Sequence, residues 1–175
     1  MKIRAYLSFV LIAGTLLSCW PTSVAFNDSA SMNPCLKVFQ MDPLEISAAN
    51  APVNYNIDLT EAVKAGIQNN TRLLLAGNTN KPQVIISGKV TNYVITPIAL
   101  QQGDVASKNR LTISAQMDIV FECQNEDYAH EMKVNSTRFA DYESSQDISS
   151  VEAQLISEIN AQIVQDVINQ ILSNW

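Results

Sequence analysis

Three groups of side chains in this 175-residue sequence could do chemistry. His130 is the single histidine, and histidine is the usual general base near neutral pH. It falls inside a predicted strand, with no Ser, Cys or carboxylate spaced to work with it, so it reads as a sheet-face or surface residue. Asp141, Glu143 and Asp147 cluster in "FADYESSQD". Paired carboxylates serve acid–base catalysis or bind calcium, but this spacing is not that of an EF-hand loop. They read as a polar linker into a helix whose N-terminus favours acids. Lys108 and Arg110, in "SKNR", are the one short concentration of positive charge. Such groups bind phosphate or carboxylate well; beside a polar stretch they also suit a solvated loop tip. The sequence has no P-loop, no G-x-S-x-G and no H-E-x-x-H. An enzyme is not expected, nor a cofactor or metal.

The cysteines pose a separate question. Cys35 and Cys123 belong to no C-x-x-C, so neither a redox motif nor a zinc knuckle is indicated. An oxidising compartment permits a bond between them, while geometry is demanding and buried free thiols are common. Free thiols are the favoured expectation, with the bond left open. Cys19 is different. Lys2 and Arg4 precede an apolar segment, Tyr6–Leu17, which is too short for a bilayer-crossing helix of roughly 20 residues but fits a secretory h-region. The segment ends in Leu16-Leu17-Ser18-Cys19 rather than an A-x-A site. This resembles a bacterial lipobox, in which the thiol is linked to diacylglycerol and Cys19 becomes the N-terminus. Residues 1–18 are then a lipoprotein signal peptide and 19–34 a lipid anchor and tether. The three acyl chains of such a cysteine anchor stably, since each buried methylene contributes about 0.8 kcal/mol. Ordinary cleavage near Val24-Ala25 is the alternative.

Charge prunes further. The chain carries 11 Lys+Arg against 17 Asp+Glu, net −6, and loss of Lys2 and Arg4 takes it to −8. Nucleic-acid binding needs a basic patch to neutralise phosphates, and none is present. The same balance argues against general adhesion to an anionic lipid surface.

Elements must position these groups. "CLKVFQM" (35–41) reads as a first strand and 42–56 as loop. "DLTEAVKAGIQNN" places Leu59, Val63 and Ile67 on one helical face, with Asp58 and Glu61 spaced as a capping box. "VIISGKVTNYVITPIAL" is a long strand, with Gly88 marking a bulge or close approach and Pro97 an edge or an end of pairing. "QQGDVASKN" reads as a hairpin loop. "RLTISAQMDIVFE" alternates strictly: Leu111, Ile113, Ala115, Met117, Ile119 and Phe121 on one face, Thr112, Ser114, Gln116 and Asp118 on the other. One face on a core and one in water is typical of an antiparallel sheet. "YAHEMKVNSTRF" is a fourth strand. A long helix follows, with Ser149 and Glu152 as a second capping box and an apolar stripe from Val151 to Ile171. The expected fold is α+β: two helices on one face of a mainly antiparallel four-stranded sheet, residues 35–175.

Three runs carry a resemblance: "ISGKVTNYVITPIAL", "NRLTISAQMDIVFE" and "RFADYESSQDISSVEAQLISEINAQIVQDVINQILSNW". Together they resemble the LptE family of lipopolysaccharide-assembly outer-membrane lipoproteins, over roughly Pro82–Trp175. The segment 20–55 departs from that family's usual aromatic stretch after the cysteine. The resemblance implies a non-catalytic domain that plugs and stabilises the outer-membrane β-barrel LptD and helps pass lipopolysaccharide outward. It also implies lipid contact by basic residues at a strand-end loop, for which Lys108 and Arg110 are the candidates here. The rival readings are another envelope lipoprotein acting as a binding or scaffold domain, and a periplasmic enzyme using "DYESSQD".

Overall fold

The period-two pattern of residues 110–122 becomes the middle strand of three long antiparallel ones. The computed structural model describes residues 35–77, 80–98, 108–123 and 129–173. Their elements run β1 (Val38–Met41), β2 (Glu45–Ile46), α1 (Tyr55–Asn70), β3 (Leu74–Leu75), β4 (Val84–Ile98), β5 (Lys108–Phe121), β6 (His130–Glu143) and α2 (Ile148–Ser173). No described helix is long and apolar enough to cross a membrane. Cys19, the signal and tether, and most of the expected 101–109 hairpin loop lie outside the described residues.

The sheet corrects the expected one. It has six strands and is mixed, in the order β3-β1-β4-β5-β6, with β2 also on β4. β4, β5 and β6 pair antiparallel in long register, but β1 runs parallel to β3 and β4, and β2 parallel to β4. The two added strands, β2 and β3, have two residues each, too few for a periodicity to register. The parallel pairing of β1 with β3 follows from α1, which supplies the crossover that parallel strands need.

Every odd position of β5 from Leu111 to Phe121 is buried and every even one half-buried. The buried set shares one core with Phe39, Ile86, Val90 and the apolar faces of both helices. Leu59, Val63 and Ile67 of α1 are fully buried, as are Ile159, Ile163, Val167 and Ile171 of α2. The helices approach closely: a Cβ on Gly66 would lie 2.2 Å from Val164 Cγ1. The buried Tyr55 hydroxyl donates to Asn160 Oδ1 at 2.7 Å, which satisfies both polar groups and fixes α1 against α2. Tyr93 donates to Glu152 Oε1 at 2.6 Å and meets the Tyr55 ring edge to face. Burial, the larger cause, pushes the Tyr55 hydroxyl far above its ordinary pKa, so it stays a donor.

Both expected capping boxes are corrected. α1 begins at Tyr55, so Asp58 sits in its first turn and Glu61 pairs with Lys64 instead. In α2, Asp147 rather than Ser149 supplies the cap: its Oδ1 accepts from Ser149 N at 2.9 Å. Glu152 is taken by Tyr93. Gly88 is a close approach, its absent Cβ facing Gln116 O at 2.3 Å, while the bulge falls between Val90 and Asn92. Pro97 pairs with Asn109 where β4 has a described neighbour on one side only, an edge position that suits proline. The favoured free thiols are also corrected: Cys35 and Cys123 form a disulfide, with Cα atoms 6.0 Å apart. Eighty-eight residues separate them, and only the paired sheet ends bring them together.

Two expectations follow. Gly66→Ala gains up to about 1 kcal/mol of helix propensity but drives into the stiff Val164 side chain, for a net loss of about 1–2 kcal/mol in urea unfolding. The loss shrinks in a Gly66→Ala/Val164→Ala pair. Replacing both bonded cysteines by serine lowers stability by about 2–4 kcal/mol, measured the same way.

Candidate functional site

The face of β4–β5–β6 turned away from the helices carries polar and charged groups in cross-strand rows. Directly opposed residues in antiparallel strands share a face. One row is Asn92, Ser114 and Thr137, where the two hydroxyls meet at 2.9 Å. Another is Lys89, Gln116 and Asn135; a third is Ser87, Asp118 and Lys133, with the ion pair at 3.6 Å. Thr112, Ser114, Gln116 and Asp118, expected on a wet face, all stand here and are half-buried.

Toward the β4 C-terminus the face carries paired charges and apolar groups together. Lys108 opposes Glu143 and Arg110 opposes Asp141 across β5–β6. Arg110 makes a two-point bond: Nε to Asp141 Oδ1 at 2.7 Å and an NH2 group to Oδ2 at 2.9 Å. Its guanidinium carbon lies 3.6 Å from the centre of the Phe139 ring, a cation–π contact. Lys108 Nζ is 3.6 Å from Glu143 Oε1, with both side chains about half exposed. Phe139 is 46% exposed, and Val94 and Ile98 of β4 are half-buried. Arg110, mainly by hydrogen bonding, holds the Asp141 carboxyl below its ordinary value, so the acid stays charged.

The structure thus joins two features that the sequence separates. Lys108–Thr112 and Phe139–Glu143 form one ladder. Asp141 and Glu143 are not linker residues; they belong to β6, which extends to Glu143. Asp147 alone serves the helix start. Phe139 carried no expectation as a site residue, and the pairing of Asp141 and Glu143 with the bases was not foreseen, though the alternation in "RFADYE" continues the period of β6. His130 is exposed and stacks on Phe121 at 4.4 Å, near the opposite end of the sheet. A groove of about 1330 Å³ at that end is lined by Cys35, Lys37, Leu74, Lys81, Phe121 and His130 among others. Among the described residues no group of His, Cys, Asp and Glu could hold a metal. Lys108 and the disulfide lie at opposite ends of β5, about 45 Å apart at the usual strand rise.

A second charged cluster stands on the helix side. Arg138 of β6 binds Asp166 of α2 through two nitrogens, one of them Nε at 2.7 Å, and Ser136 donates to the same carboxylate at 2.5 Å. Hydrogen bonds from Arg138, chiefly, and from Ser136 hold Asp166 below its ordinary 3.8 against the opposing effect of desolvation. A carboxyl with a lowered folded pKa contributes stability above its unfolded pKa and loses it as the pH falls through the folded one.

Comparison with known proteins follows this geometry. The family model LptE, described as lipopolysaccharide-assembly, matches residues 41–171. No curated protein sequence matches the chain. Among solved structures, a hypothetical protein from Chlamydia trachomatis is similar at a TM-score of 0.52 and 12% identity, over 78% of this chain and 98% of that one. A protein from Xanthomonas campestris is similar at 0.50 and 9%, over 81% and 89%. At such identities the likeness is one of fold.

The Arg138–Asp166 cluster yields a test. The thermal stability of the wild type falls as the pH drops through and below the ordinary carboxylate range, whereas Asp166→Asn is less stable at pH 7 by about 0.5–1 kcal/mol and flatter over that window.

Proposed function

The chain belongs to the LptE family, and from that premise we propose that it is an outer-membrane lipoprotein of lipopolysaccharide assembly, anchored through Cys19 and seated as a plug in the LptD β-barrel. The single observation that carries the reading is the family match over residues 41–171, most of the described domain. The open sheet face supports it. Large barrels have polar interiors, and a plug must offer such a wall polar groups rather than an apolar patch. The rows from Ser87–Asp118–Lys133 to Asn92–Ser114–Thr137 do so.

The two ends of the domain then take different roles. The tether read from Cys19 enters the described domain at Cys35, bonded to Cys123 at one end of the sheet. Lys108 and Arg110 stand at the other, where lipopolysaccharide phosphates meet them. Exposed apolar surface at Phe139 suits the rest of an amphiphile. No step here is chemical: the domain binds, braces and releases.

Full-length protein, tagged at its C-terminus and isolated from detergent-solubilised outer membranes, is expected to bring down a large β-barrel in equal amount. Mass spectrometry of the intact chain is expected to show lipid on Cys19. Recovery of the protein alone from fully solubilised membranes overturns the plug reading and leaves a lipoprotein with a different partner.

A further inference from the structure

Lys108 and Arg110 do not present bare charge. Each already holds a carboxylate from the facing strand, on the open face of the sheet. We propose that Asp141 and Glu143 are built-in counter-anions of this cationic site: they occupy the places that lipid phosphate oxygens take on binding, and so set how tightly the lipid is held and how readily it leaves. The inference rests on the reading that this end of the domain handles lipopolysaccharide.

The two pairs differ in a way that fits exchange. Lys108 and Glu143 are 3.6 Å apart with side chains 43% and 57% exposed. Such pairs contribute little, so a phosphate displaces Glu143 at small cost. Arg110 is held more firmly, by two hydrogen bonds to Asp141 and by the Phe139 ring beneath it. The ring keeps the guanidinium plane in place while one anion replaces another, because carboxylate and phosphate both accept the same two-point fork. Two bases and two acids nearly cancel. A singly charged headgroup in a membrane therefore gains little here. A ligand with closely spaced phosphates and an adjoining apolar part outcompetes the carboxylates, and Phe139, Val94 and Ile98 lie beside the pairs to receive that part. Specificity arises from what the acids repel as much as from what the bases attract.

The test uses the full chain in detergent and purified lipopolysaccharide, with affinity and release rate measured for the wild type, Glu143→Gln, Asp141→Asn, their combination, and Lys108→Gln/Arg110→Gln. The amide variants are expected to bind about threefold to tenfold more tightly and release more slowly, the gain of removing a weak competing ion pair. Adding Lys108→Gln/Arg110→Gln abolishes that gain. Inorganic phosphate at millimolar concentration is expected to compete poorly, since it lacks the apolar part. A circular-dichroism melt of each variant identifies any that unfold; should Asp141→Asn do so, Glu143→Gln on the more exposed pair decides alone. Unchanged or weaker binding by the amide variants, with binding lost in Lys108→Gln/Arg110→Gln, overturns the counter-anion role and leaves the lipid site standing. Equal binding by the wild type and Lys108→Gln/Arg110→Gln overturns the lipid site and this inference with it. Equally strong binding of inorganic phosphate overturns the lipid as the source of the anion.

Discussion

The strict alternation of β5 constrains everything else in the molecule. Its odd positions are buried and its even positions form the open face, and a slip of one residue would exchange the two sets. β4 and β6 inherit the same division through 14 cross-strand pairs on each side of β5. The helices cover the face that carries the continuous apolar rows. The ladder of Lys108, Arg110, Asp141 and Glu143 stands on the other.

Two arginine–aspartate pairs show how that division assigns roles to similar chemistry. Arg138 points to the helix side of β6, where it and Ser136 share the Asp166 carboxylate in a network that ties the strand to α2. Arg110 points to the open side, where its partner is on a neighbouring strand and an aromatic ring lies beneath. The first pair is part of what holds the fold, since breaking it leaves a partly desolvated charge beside a helix. The second is one-third exposed on both partners, no more in total than the first, whose arginine is 44% exposed. What sets it apart is its place on the open face, beside Phe139 and the Lys108–Glu143 pair.

Much of this was legible in the residues. The spacing of Leu59, Val63 and Ile67, and of Leu155 through Ile171, marks two amphipathic helices because a helix buries residues three and four apart. The alternation from Arg110 to Glu122 marks a half-buried strand. What escaped was short or non-local. β2 and β3 contribute two residues each and exist only because β4 and β1 offer them edges. The caps were misassigned because Asp58–Glu61 and Ser149–Glu152 have the right spacing, yet tertiary partners decide where a helix starts: Glu152 is claimed by Tyr93. The acids at 141 and 143 read as linker because "YESSQD" resembles a turn, whereas pairing with β5 carries the strand through Glu143.

The α+β class, the two helical faces, the two-sided strand at 110–122 and the family follow from the residues alone, because each is written in periodicity or in long contiguous runs. The mixed six-stranded sheet, the Cys35–Cys123 bond and the pairing of Lys108 and Arg110 with Glu143 and Asp141 emerge only on folding. Each of these joins residues distant in the chain, 88 apart for the cysteines and 31 for Arg110 and Asp141. Local pattern carries no information about such partners; register does, and register is fixed only when the sheet closes against its helices.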